Sequence, residues 1–162
     1  MSWFNDDGLI VPFGTEKATA VNGGAYSVDG GEHWVEFDLD LTTLTSSSAI
    51  INDYVILPKN VRIERVEVIV LTASAGANAN LNVGLTKVDR TTAIDADGIL
   101  AASDDWHTSA AGTTTLFYAG STEVGALVGV DVGNFPSYVS AYYDTAAFTD
   151  GLIKLRLFYV KV

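Results

Sequence analysis

From Glu32 onward the chain alternates. Val35, Phe37, Leu39 and Leu41 fall on one side, Glu36, Asp38 and Asp40 on the other. A period of two over that length predicts a half-buried strand with a solvated acidic face. Ser46-Ser47-Ser48 reads as a turn, and Ile50–Leu57 as a second strand closed by Pro58. In the next stretch Val61 and Ile63, then Val66, Val68 and Val70, form the apolar set. The phase slips at Arg65-Val66, as a β-bulge would cause. Leu81, Val83 and Leu85 share one face of the following strand, 80–88, after an Ala/Gly/Asn turn. The spacing predicts a hairpin of 61–73 with 80–88.

Residues 93–107 predict the one short helix, with Ile94, Ile99, Leu100 and Trp106 sharing a face and Gly98 weakening it. Thr113–Tyr118, Leu127–Val130 and Ser137–Tyr143 predict three more strands, divided by Gly- and Pro-containing turns. The last segment alternates Ile153, Leu155, Leu157 and Tyr159 with Lys154, Arg156 and Phe158, a closing strand. About eight strands with one short helix give an all-β class, a jelly roll or β-sandwich. No internal repeat of solenoid or propeller period is present.

Residues 1–31 differ. Through Phe13 they carry large apolar groups, Trp3, Phe4, Leu9, Ile10, Val11 and Phe13; from 14 to 31 they are glycine-rich and polar. The expected organisation is an extended N-terminal arm and Gly-rich linker over 1–31 and a jelly-roll domain over 32–162. The cost of ordering the arm's backbone is similar to the gain from burying its six large side chains. Backbone pairing along a sheet edge would therefore decide its place. The partner edge is open at this point: the arm pairs with its own domain as a first strand, or reaches another subunit.

Composition narrows the function classes. The 162 residues suffice for one core, and 48% hydrophobic content argues against disorder. Gln is absent and Met occurs once, a balance that favours strands over helices. The net charge is −11, and residues 91–153 hold eight acids and no Lys or Arg. Such a surface repels phosphate backbones and anionic lipid, so neither nucleic acid nor a membrane is an expected partner. The absence of cysteine excludes disulfides and thiolate metal sites, and fits folding in a reducing cytoplasm. No basic-plus-apolar leader opens the chain, and no apolar run reaches the length of a bilayer span.

Candidate chemistry is sparse. The two histidines, His33 and His107, lack a nucleophile elbow, and surface or capping roles account for them. Asp95-Ala96-Asp97-Gly98 resembles the start of a calcium loop, but Ile99 and Trp106 stand where such a loop needs ligands. A nonstandard site could use Asp95, Asp97, Asp104 or Asp105; helix capping by Asp95 is the plainer account. Trp3, Trp34, Trp106, Tyr138, Tyr142 and Tyr143 are either core aromatics or a sugar-stacking platform. No enzyme reading stands out, and no cofactor or metal is expected.

The segments "DGLIVPFGTEKA" (7–18), "LPKNVRIERVEVIVLTAS" (57–74) and "NLNVGL" (80–85) resemble small virion proteins of tailed bacteriophages. The layout is similar to jelly-roll head decoration (cement) proteins with an N-terminal arm. The resemblance implies a trimer that binds the major capsid protein at capsomer junctions on the virion surface after synthesis in the host cytoplasm. It implies no catalytic residue, and it assigns capsid or subunit contact to Trp3, Phe4, Leu9, Ile10, Val11 and Phe13. Lys59, Arg62, Arg65, Lys154, Arg156 and Lys161 are either ordinary strand-face cations or partners of acidic capsid patches. Alternatives are a tail or head-fibre component and a carbohydrate-binding module of the virion.

Overall fold

A computed structural model of the chain describes residues 3–4, 10–11, 26–29, 31–51, 55–74, 79–104, 106 and 109–162, the first three segments as backbone only. Its elements are strands β1 (Trp3–Phe4), β2 (Ile10–Val11), β3 (Tyr26–Asp29), β4 (Glu32–Asp40), β5 (Ala49–Ile50), β6 (Ile56–Leu57), β7 (Val61–Thr72), β8 (Asn80–Lys87), β9 (Ala93–Ser103), β10 (Thr114–Tyr118), β11 (Asp131–Val132), β12 (Ser137–Asp144) and β13 (Leu152–Lys161). Eight of these have four residues or more, and they include β3 and β9, which fall where the sequence predicted a linker and a helix. A single 3₁₀ turn, Leu41–Thr43, is the helical element among the described residues, and Asp40 caps it by accepting from the Thr42 N–H at 3.0 Å.

Two sheets form the body. One runs β10-β7-β13-β4-β3, with β11 also on β7; the other runs β5-β12-β8-β9, with β6 also on β12. In the first, Leu155 lies between Phe37 and Val68, and Leu157 between Val35 and Val66. These side chains are buried and join Leu81, Val83, Leu85 and Val139 of the second sheet in one apolar cluster. The inner faces of both sheets therefore share a core, which makes the fold a β-sandwich of jelly-roll type. Burying one face of each strand drives this stacking, since every second residue must leave water.

The expected bulge is present. Phe158 is opposite Arg65 and Tyr159 opposite Ile63, so Glu64 is the extra residue on β7, next to the phase slip in the sequence. Gly31, at φ +113°, turns β3 into β4, which then pair antiparallel. Tyr26–Asp29, from the glycine-rich stretch, thus form an edge strand of the first sheet.

Four expectations need correction. The segments 61–73 and 80–88 are both strands but not a hairpin: β7 is flanked by β13 on one side and by β10 and β11 on the other, while β8 lies in the opposite sheet between β12 and β9. Alternation marks a strand without naming its neighbour. Residues 93–103 are β9 rather than a helix. Four of its residues, 96–99, stand opposite the single residue Gly84 of β8, between the pairs Leu85↔Asp95 and Val83↔Leu100. That bulge is what spaces the apolar residues like a helix, and a Cβ at Gly84 would sit 2.0 Å from the Asp95 carbonyl oxygen. Leu127–Val130 is a turn region held to β7 by the Val128–Ile63 bridge, with Gly129 at φ +84°; the strand comes after it, at β11. Finally, Ile50–Leu57 is two short strands, β5 and β6, both on β12, and residues 52–54 lie outside the described residues.

Candidate interaction surface

The outer face of the first sheet carries ordered rows of charge and aromatic rings. Antiparallel register places Arg156 between Glu36 of β4 and Glu67 of β7, and it binds both, at 2.8 and 3.0 Å. Lys154 lies 3.6 Å from Glu36 and 3.5 Å from Asp38. Arg65 forks onto Glu32 and stacks 3.7 Å above the Phe158 ring, while Arg156 stands 5.2 Å from the Trp34 ring. Arg62 pairs with Asp131 at 2.9 Å. Arg62, Arg65, Lys154 and Arg156 thus neutralise acids of their own sheet. These four read as ordinary strand-face cations, and cross-strand pairs of this kind add rigidity and modest stability.

Beside this face lies β10. It pairs with β7 on one side, and among the described residues no strand pairs its other side. Phe117 points into the core at 3% exposure, whereas Leu116 and Tyr118 point outward at 44% and 49%. The sequence did carry a signal for this edge that periodicity alone passes over: residues 106–122 hold no Asp, Glu, Lys or Arg.

Of the expected contact residues, Trp3 and Phe4 fall in β1 and Ile10 and Val11 in β2. The two strands pair with each other, Trp3↔Val11 and Phe4↔Ile10. Leu9 and Phe13 lie outside the described residues. Among the described residues these two strands pair with each other and with neither of the large sheets.

The remaining chemistry disperses. Among the described residues no three His, Cys, Asp or Glu side chains gather as a metal site. Asp95 and Asp97 do approach each other, and burial, with a hydrogen bond and charge from Asp97, pushes the Asp95 carboxyl above its ordinary value. Burial also raises the Tyr142 hydroxyl, helped by the charges of Asp97, Asp144 and Asp95. Asp89 does the opposite: accepting from the Thr91 and Thr92 N–H groups of its tight turn holds its carboxyl at about 2. His33 stacks on Tyr159, and His107 lies outside the described residues. Of the aromatic residues weighed for sugar stacking, Trp106 is buried against Phe148 and donates its Nε1–H to Ser103 Oγ, and Tyr138 is buried beneath Arg90. Ser103 in turn donates to the buried Glu123 carboxylate at 2.6 Å, tying the segment after β10 to the end of β9. An open cleft of about 420 Å³ lies over Ser48, Ile50, Thr86 and Arg90.

This sandwich has known counterparts. It is similar to a chain in the capsid of Ralstonia phage GP4, with a TM-score of 0.58 and 19% identity over 84% of this chain and 89% of that one. It is also similar to chains in the acidic stable capsid structure of Helicobacter pylori bacteriophage KHP30 (TM-score 0.45, 16% identity, 85% and 90% covered) and in the cyanophage Pam1 capsid asymmetric unit (0.47, 15%, 91% and 93%). No protein-family model matches the chain, and no curated protein does. The GP4 likeness establishes a shared fold over nearly the whole of both chains.

Proposed function

We propose that this chain is a non-enzymatic structural protein of a phage virion that decorates the capsid and stabilises it at capsomer junctions. The observation that carries the reading is the GP4 capsid likeness, which spans 84% of this chain and 89% of its counterpart. A shared whole domain, rather than a shared motif, is what supports a similar place in a particle. The partners in this reading are the major capsid protein and further copies of the chain, arranged as a trimer.

The mechanism is adhesive. A rigid sandwich presents a sheet face whose charges are already paired, and Trp3, Phe4, Leu9, Ile10, Val11 and Phe13 supply apolar contact to neighbouring subunits. Each contact is modest, and repetition over many copies makes the coat resistant to separation.

Co-expression with the major capsid protein of the same genome, followed by gradient sedimentation, tests this. The chain should travel with the shells at a fixed ratio and raise their melting temperature, and a version lacking residues 1–16 should travel with them less. A chain that stays at the top of the gradient overturns the proposal. Shells built by this chain alone would also overturn it, by making it the capsid lattice itself.

A further inference from the structure

We infer that copies of the chain associate end to end, with Phe135 of one copy entering an apolar hollow at the opposite, acidic end of another. The two ends of the sandwich differ in charge. At one end the Asn60 N–H donates to the Gly133 carbonyl at 3.1 Å, the Val162 N–H donates to the Asn60 carbonyl at 2.9 Å, and Ser137 stands opposite Lys87. Lys59, Lys87 and Lys161 are thereby brought to the same end as Phe135, and none of the three forms an ion pair among the described residues. The acids of this end are already engaged: Asp131 with Arg62, Glu32 with Arg65, and Asp89 with the Thr91 and Thr92 N–H groups. Phe135 is 63% exposed, more than any other large apolar side chain among the described residues.

The opposite end, where β4 and β12 finish and β13 begins, carries Asp40, Asp104, Asp144 and Asp150. The segments that build it among the described residues fall within 18–58, 66–86 and 91–153, which hold no Lys or Arg. The nearest cation in register, Lys154, is held by Glu36 and Asp38. Between the sheets here lies a hollow of about 90 Å³, floored by the buried Leu39 and Ala141 and walled by the half-buried Leu44 and Ile51. Two of the acids adjoin it. The Thr43 hydroxyl, on its rim, donates to the Asp40 carbonyl at 2.7 Å, and the Tyr143 N–H, next to Asp144, donates to the rim carbonyl of Thr45 at 3.0 Å.

Charge and shape select a second copy as the occupant. A chain of net charge −11 repels its own copies in most orientations, and the repulsion reverses when a basic end meets an acidic one. An exposed ring flanked by cations then faces an apolar hollow flanked by carboxylates. The ring supplies the buried anchor, and the charges fix its orientation. Because different patches meet, the contact is heterologous: copies add head to tail and close into a ring where the rotation allows. That is the kind of contact a trimer requires. It uses no residue of the N-terminal segment, and it stands whether or not the chain is a virion protein.

The test is sedimentation over about 1–100 µM of the full chain, of Phe135→Ser, and of two charge-reversed chains. One reversed chain carries Lys59→Glu with Lys161→Glu, the other Asp40→Lys with Asp144→Lys. The unmodified chain should show masses above one chain that fall as salt rises, and Phe135→Ser should weaken its self-affinity about tenfold or more. Each reversed chain alone should keep the mass of one chain, since its two ends now share a sign. Mixed in equal amounts, the two should associate again. Phe135 is exposed, so its substitution leaves the fold intact and decides alone should a reversed chain fail to melt cooperatively. The inference is overturned by an unmodified chain that stays single throughout, by association that ignores Phe135→Ser, or by folded reversed chains that stay apart on mixing. Single chains that instead sediment with phosphatidylserine vesicles would also overturn it, by giving the basic end to an anionic membrane.

Discussion

The two sheets solve the same burial problem differently. In the first sheet β4, β7 and β13 bury one face and wet the other: Phe37, Val68 and Leu155 are inside, while Glu36, Glu67 and Arg156 are outside and paired with one another. In the second sheet the central strands β8 and β12 are buried on both faces. Their outward polar groups bond to one another, with Thr86 Oγ1 donating to Ser140 Oγ at 3.0 Å and Ser48 Oγ donating to the same oxygen at 3.0 Å. The difference shows where alternation carries information. It does so when water lies on one side, and it fades when backbone or side chains cover both.

Substitutions can break or sharpen that contrast. The largest effect is expected at the shared core: Leu155→Ala, at a fully buried position between Phe37 and Val68, should lower unfolding free energy by about 2–5 kcal/mol in urea titration. Next is Gly84→Ala, which forces a methyl group into the backbone of the β9 bulge and should cost about 1–3 kcal/mol. Exchange protection lost first in β8 and β9, with β4, β7 and β13 spared, would identify the bulge as the cause. An alanine at Gly112, which meets no neighbouring atom, isolates the cost of its +90° φ.

A smaller effect is expected on the wet face. Arg156→Ala leaves Glu36 and Glu67 without their shared guanidinium and should cost about 1 kcal/mol, less at high salt. The smallest is Asp95→Asn. Because the folded-state value of Asp95 is raised, its ionisation weakens the native state above that value, and protonation removes the penalty below it. The variant should therefore melt higher at neutral pH, and the gain should shrink as pH falls below the folded-state value of Asp95 and be gone below its ordinary value. Asp89 has the opposite sign: its contribution to the turn is present above its unfolded value and is lost as pH falls toward about 2.

What was legible follows the same division. The faces of β4 and β13 were readable residue by residue, and the phase slip at Arg65-Val66 located the bulge to within one or two positions. The segment 93–107 was misread because a four-residue arch over Gly84 gave Ile94, Ile99 and Leu100 a helical spacing. The candidate surface was half visible. The apolar residues of the N-terminal segment stood out, but the place of β10 at the end of the described sheet did not, since an edge exists only relative to neighbouring strands.

The sequence by itself determined the class of the molecule: strands rather than helices, one apolar core, an acidic surface, and which side of the outer strands meets water. These depend on local side-chain chemistry with a period of two, and a strand carries that information wherever it lies. Only the tertiary structure decided that β7 and β8 part into opposite sheets, and that Tyr26–Asp29 and β10 stand at the two ends of one of them among the described strands. Strand partners are chosen by contacts between residues far apart in the chain, and the backbone groups that pair them are the same in every residue but proline.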